Sequence, residues 1–546
     1  MKKITGNLVD LDAGDIYPAE IIYDHRILSI KRLSEAVNDY IIPGFVDAHI
    51  HIESSMLVPS EFARLATRHG TVATVSDPHE IANVLGVRGV EYMIDEGSKV
   101  NFKFYFGAPS CVPATQFETA GAHIGPDEIR QLLEREDVLY LAEMMNWPGV
   151  LSGDKEVFEK LSVAKKLGKP VDGHAPGLRG EDAVNYMEAG ITTDHECYTY
   201  DEALHKMKHG MKILIREGSA AKNFEALIDL MARDPSQLMF CSDDKHPDDL
   251  VEGHINSLVR RSLERGYNLF DVLRVACVNP VHHYKLPVGL LRQGDHADFL
   301  IISSVKPNFK VLQTWVDGEM VSIDGKSLIA RSSSHIINNF NAKPRQPQDF
   351  VLAIEGKHAK VIEVEEAQLI TQSGWLDSNL LDEKSQTSIE QDVLKLTVVN
   401  RYIHEQPSFA LVRNFGLERG AIASSVAHDS HNIIAVGTNN EDLCRAVNAV
   451  IQTQGGISAV DGEWHHQIAL PVAGLMSIDD GDEVAKAYTE MNHFVKERLG
   501  GKLHAPFMTL SFLALLVIPE LKLSDKGLFD AQTFQFTPVF EEPDID

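Results

Sequence analysis

At 546 residues the chain exceeds one ordinary domain, so a barrel of about 250 residues with at least one further domain is the natural expectation. Hydrophobic residues at 44% and charged residues at 24% describe a folded globular protein and argue against a long disordered segment. A formal net charge of -28, from 51 Lys and Arg against 79 Asp and Glu, disfavours nucleic acid and anionic membranes and leaves a small molecule as the expected partner.

Residues 1–39 read as short strands with turns. Met1-Lys2-Lys3 opens like a signal peptide, but Asp10, Asp12, Asp15 and Glu20 interrupt any apolar run that could follow. Cys111, Cys197, Cys241, Cys277 and Cys444 lie far apart with no C-x-x-C pair, which argues against a disulfide framework or a thiolate zinc site. A reducing, cytoplasmic setting fits.

From about residue 40 to 285, apolar runs alternate with helical segments in the manner of βα units around a parallel sheet. Eight strands are predicted, over residues 40–46, 71–75, 101–106, 138–144, 170–173, 191–193, 212–216 and 238–241. Helices are expected over 59–69, 156–167, 224–232 and 250–265, among others. The pattern predicts a (β/α)8 barrel over 40–285, an α/β fold. Residues 286–341 resume the character of 1–39, and the two pieces together predict a small flanking β domain. Residues 342–349, with two prolines, read as a linker to an α+β domain over 350–546, with a strand near 394–399 and a helix near 441–451. The apolar stretch 507–518 is closed by Pro519 and too short to span a bilayer, so it reads as buried core.

Chemistry-bearing residues follow the predicted strands, where a barrel keeps its active site. His49 and His51 stand two positions apart at the end of the first strand, and a period of two points both to one side. An H-x-H is weak alone; directly after the buried run 41–46 it occupies the barrel mouth. His174, His195 and Asp243 follow the fifth, sixth and eighth strands as further candidate ligands. Glu143, after the fourth, offers a carboxylate to bridge two cations. Nitrogen and carboxylate donors without thiolate suit Zn, Mn or Fe, and spacing does not choose among them.

This order resembles the amidohydrolase superfamily, with Glu143 where many members carry a carboxylated lysine. The segments Pro43-Gly44-Phe45-Val46-Asp47-Ala48-His49-Ile50-His51-Ile52-Glu53-Ser54-Ser55, Asp77-Pro78-His79-Glu80-Ile81-Ala82-Asn83-Val84, Glu143-Met144-Met145-Asn146 and His428-Asp429-Ser430-His431-Asn432 are similar to the bacterial adenine deaminase family, over nearly the whole chain. The resemblance implies conversion of adenine to hypoxanthine and ammonia at a binuclear centre working with Mn2+ or Fe2+. Hydroxide adds at C6; Asp243 is expected to carry its proton to the departing amine and Glu143 to protonate a ring nitrogen.

Candidates for contact with the purine are Glu53, Ser54, Ser55, His79, Glu80, Arg216, Ser219 and His246, together with His428 and His431 of the last domain, which is expected to close over the barrel mouth. Asp47 is a candidate to orient a ligand histidine. Alternative readings are a cyclic amide hydrolase of the dihydroorotase or hydantoinase kind and a scaffold protein that has lost its metals. His51-Ile52-Glu53 matches half of a different zinc deaminase motif, whose P-C-x-x-C half is absent. A homodimer is a reasonable assembly.

Overall fold

The run 40–46 does not make one strand as expected. In the computed structural model, which describes residues 1–35, 38–219, 221–366 and 368–542, Tyr40–Pro43 joins the flanking sheet, parallel to Lys2–Asp10 and antiparallel to Phe299–Ile302. The chain passes through Gly44 before Phe45–Ile50 begins the barrel as β1. A Cβ on Gly44 would lie 2.3 Å from the Val72 side chain, so only glycine lets the two sheets meet here.

The remaining barrel strands are β2 (Thr71–Ser76), β3 (Lys103–Phe106), β4 (Leu141–Met144), β5 (Val171–Gly173), β6 (Thr193–Asp194), β7 (Lys212–Arg216) and β8 (Leu238–Cys241). Parallel pairing runs β1-β2-β3, β4-β5 and β6-β7-β8. An Ala108–Leu141 bridge joins β3 to β4, and Thr192 N–H donates to Val171 O at 2.9 Å between β5 and β6. An Ile50–Asp243 bridge closes the ring from β8 to β1. Phe45, Val46, Ala142, Val171, Ile213 and Phe240 fill its core.

The helices that bear on the site are α1 (Pro59–Ala66), α2 (His79–Leu85), α3 (Gly180–Glu188), α4 (Tyr200–Lys208), α5 (Pro247–Glu252) and α6 (Ile255–Glu264). The helix expected over 250–265 is thus two, parted at Gly253 and His254. The break turns His254 inward, where its ring lies 2.8 Å from Asp47 and 2.7 Å from Thr71. Both halves bury the same kind of apolar face, so periodicity alone gave no sign of the interruption.

Strands from both chain ends of the barrel build the flanking sheet, in the order Lys326–Ser327, Glu319–Ile323, Val311–Val316, Phe299–Ile302, Tyr40–Pro43, Lys2–Asp10, Asp15–Tyr23, Ile27–Arg32. Leu8, Ile21, Tyr23, Ile41 and Phe299 form a core of its own.

Beyond residue 350 a second eight-stranded sheet centres on Val393–Val399 and Ile433–Gly437. Helix α7 (Asn440–Gln452) packs on one face through Leu443, Val447 and Val450. The other face shares one apolar cluster with the barrel: Ile422 and Leu470, with Tyr488 of α8 (Gly481–Glu497), join Leu57, Phe62 of α1 and Ile81 of α2. The stretch expected as a linker is itself packed, since Arg345 is buried and its N–H donates to Asn448 Oδ1 at 2.8 Å. Among the described residues no helix is long and apolar enough to cross a membrane.

Candidate metal centre

Buried polar side chains stand at the ends of β1, β2, β4, β5, β6 and β8, and these ends converge. His49 and His51 place their Nε2 atoms 3.2 Å apart. His51 Nδ1–H donates to the Asp77 carbonyl at 3.1 Å, which leaves the Nε2 lone pair directed into the cluster. Asp47 does not touch a ligand ring; its Oδ1 accepts from the His49 backbone at 3.3 Å and from Ser242 N at 3.1 Å, fixing β1 against β8.

Asp243 is pinned on both sides. Its N–H donates to His49 O at 2.9 Å and its carbonyl accepts from His51 N at 3.4 Å. The bridge holds it at φ 54°, a left-handed conformation that Asp tolerates better than most residues. Oδ1 then lies 3.1 Å from His51 Nε2 and 3.5 Å from His49 Nε2, while Oδ2 accepts from Arg216 at 2.7 Å. Burial works to raise its pKa, but Arg216 and the histidines hold it well below the usual carboxylate range.

Glu143 divides the cluster. Oε1 lies 3.3 Å from His51 Nε2 and 3.4 Å from His79 Nδ1; Oε2 lies 2.8 Å from His174 Nδ1 and 3.2 Å from His195 Nε2. The His49 and His195 rings stack with centroids 4.0 Å apart. Donor atoms of His51, Asp77, His79 and Glu143, of His49, His195 and Asp243, and of Glu143, His174 and His195 lie within 4.8 Å of one another in each set. Within this buried cluster His49 Nδ1, Asp77 Oδ2, His79 Nδ1 and His174 Nε2 have no hydrogen-bond partner among the described residues. Nitrogen and carboxylate lone pairs crowded together and left unsatisfied fit divalent cations better than they fit one another.

His79 is the residue that sequence reasoning undervalued. The Asp77-Pro78-His79-Glu80 segment was visible after β2, but only the fold shows that its histidine faces Glu143 across the barrel mouth. Glu196, beside His195, was also missed; it pairs with Arg216 and lies 3.7 Å from His174.

The C-terminal domain reaches this centre. His428 Nδ1 lies 2.6 Å from Glu80 Oε1, His431 contacts the other oxygen, and Asp429 Oδ1 lies 3.8 Å from His79. Leu369, Phe512, Leu515 and Ile518 cover a small cavity that is floored by the histidines and carboxylates. Phe512 belongs to α9 (Pro506–Phe512) and stacks on His428 at 4.5 Å; the stretch is buried core, as expected, and also covers the site. Lys522, fully buried, donates to the Leu369 carbonyl at 2.8 Å; burial pushes its ammonium down to about 7.

Glu53, Ser54, Ser55, Ser219 and His246, also candidates for substrate contact, do not line that cavity. Ser55 Oγ donates to Ile52 O at 2.6 Å and Ser54 Oγ to Asp244, so both brace the turn after β1. Glu53 Oε1 accepts from Ile81 N at 3.2 Å, and burial raises the group to about 7. Ser219 and His246 line a separate cleft against Tyr488 of α8, with the His246 and Tyr488 rings 4.9 Å apart. Arg216 does line the cavity, with its guanidinium engaged by Glu196 and Asp243.

Comparison with known proteins agrees with this architecture. The sequence profile of the amidohydrolase family matches residues 40–321, and that of the adenine deaminase C-terminal domain matches residues 368–535. The chain is 55% identical to an adenine deaminase of Sulfurovum sp. (strain NBC37-1), covering 98% of this chain and 99% of the relative. Identity is 54% to an adenine deaminase of Salinibacter ruber, over 98% of each chain, and 47% to one of Methanosarcina barkeri, over 99% of this chain and 100% of the relative. The chain belongs to the adenine deaminase family of amidohydrolases.

Proposed function

We propose that this protein hydrolyses adenine to hypoxanthine and ammonia at a binuclear divalent centre, Mn2+ or Fe2+ with Zn2+ as the remaining option. The ligands would be His49, His51, Glu143, His174, His195 and Asp243, with the Glu143 carboxylate, set between His51 and His195, as the candidate to bridge. The observation that carries the reading is near-full-length identity to proteins named adenine deaminase, C-terminal domain included. His79 is a further candidate donor on the Oε1 side of Glu143.

Bound cations would supply a hydroxide nucleophile at neutral pH by lowering the pKa of water. The chain's own groups must place the base and move protons. Asp243, held ionised by Arg216, is suited to accept a proton beside His49 and His51 and pass it to the departing amine. Glu143 is the candidate to protonate the ring nitrogen. The apolar cover of Leu369, Phe512, Leu515 and Ile518 would exclude water and strengthen each electrostatic contact beneath it. His428 and His431 would act by fixing Glu80 at the edge of the site.

A role in purine salvage in the cytoplasm follows from this reading, and five free, buried cysteines support the location. The test is adenine turnover by purified protein reconstituted with Mn2+, beside dihydropyrimidine substrates. Ammonia release from adenine alone supports the proposal; turnover of the cyclic amides alone sinks it.

A further inference from the structure

Lys206 lies outside the candidate centre, yet its ammonium joins the two loops that carry His174 and His195. It sits on the inner face of α4, and both it and Glu202, one turn earlier, are buried. The Nζ group donates to Ala175 O at 2.8 Å, Asp194 Oδ2 at 2.5 Å and Glu202 Oε1 at 3.0 Å. An ammonium has three N–H bonds, and each has an acceptor. Ala175 follows His174 and Asp194 precedes His195.

Asp194 completes the clamp. Its Oδ1 accepts from Glu196 N at 2.9 Å and from Ala175 N at 3.4 Å, so both peptide groups of Ala175 are tied to the Asp194–Lys206 pair. On the other side Tyr186 of α3 accepts from His174 N at 3.0 Å and donates to Met144 O at 2.7 Å, next to Glu143. A Cβ on Gly173 would stand 2.3 Å from Thr193 O, which shows how tightly β5 and β6 are drawn together here. A buried cation serving only the fold would be replaceable by apolar packing. This one gives two of its three donors to Ala175 and Asp194, the neighbours of the two imidazoles, and the third to Glu202 of its own helix.

We propose that Lys206, through Asp194 and the Ala175 carbonyl, is a positioning residue that sets the spacing of His174 and His195 for cation binding. The inference rests on those histidines being ligands. Groups that orient metal ligands from outside typically change affinity about 10- to 100-fold when removed.

The experiment uses the full chain stripped of metal and titrated with Co2+ against a chromophoric chelator, following visible absorption of bound Co2+. Lys206→Met and Asp194→Asn are compared with His195→Ala and with wild type. Both positioning variants are expected to bind one Co2+ about 10- to 100-fold more weakly, with an altered spectrum, and to lose kcat more than KM on adenine. Asn keeps the size of Asp194, so that variant carries the test if Lys206→Met does not fold. Loss of a cation by His195→Ala alone, with wild-type affinity and spectrum in the folded positioning variants, overturns this inference and leaves the ligand assignment standing. A wild-type chain that takes up no Co2+ overturns both.

Discussion

Glu80, on a barrel helix, and His428, in the C-terminal domain, meet at 2.6 Å beside the candidate metal centre. Burial alone would lower His428, but the Glu80 carboxylate overrides it and raises the imidazolium to about 9. The two domains therefore join at the site through a charged contact under an apolar cover.

Glu80→Gln should lower kcat/KM for adenine by about 10²-fold, the scale expected when a group near the chemistry is misplaced by an ångström. Metal content should stay at the wild-type value, because Glu80 is not among the proposed ligands. Removing His428 and His431 together should also cost about 3 to 5 kcal/mol of stability by stranding the buried Glu80 charge. Parallel kinetics, metal analysis and denaturation check this, and wild-type kinetics in Glu80→Gln would contradict the role.

For Asp243→Asn the expectation is loss of turnover by about 10² to 10⁴-fold, the usual contribution of a general acid-base group. Asn retains a ligating oxygen and can still accept from Arg216, so much of the bound metal should remain. Measuring metal and turnover on one preparation separates the two effects. Near-wild-type turnover at full occupancy would remove Asp243 from proton transfer.

Adenosine should be a much poorer substrate than adenine. The cavity is small, and the side chains of Leu369, Phe512, Leu515 and Ile518 that cover it offer a ribose no hydrogen bond. Comparable specificity constants for base and nucleoside would show that the cover opens wide enough to admit the sugar.

The order of strands was legible because most end in a polar residue directly after an apolar run, and Glu143, His174, His195 and Asp243 converge as their positions implied. The grouping of His79 with Glu143 was not, because which residues face one another across a ring depends on strand stagger. Ser54 and Ser55 misled for a local reason: small hydroxyl residues after a strand end brace turns as readily as they bind ligands. Tyr40–Pro43 was lost to the flanking sheet because an apolar run does not say which sheet it enters. The contact of His428 with Glu80 spans 348 residues of sequence, and no local pattern encodes it.

Glu118 supplies a test of stability against pH. Burial, with Asp429 adding to it, pushes its carboxyl up from 4.5 to about 8, while Thr115 Oγ1 donates to Oε1 at 3.3 Å. Between those values the unfolded chain has lost the proton and the folded chain keeps it. Stability from this group therefore falls as pH rises from about 4.5 to 8 and levels off above. Glu118→Gln should gain a few °C of Tm over wild type on going from pH 5 to pH 8.5, at roughly 2 to 4 °C per kcal/mol. Parallel Tm curves would refute the buried neutral carboxyl.

The account stands most directly on adenine turnover measured against metal occupancy in a single reconstitution series. Metal-free protein, still folded, should be inert; activity should rise with added Mn2+ and reach its full value only as the second equivalent per chain binds, with hypoxanthine and ammonia formed one for one. Full activity in metal-free protein, or no adenine turnover with both equivalents bound, would contradict it.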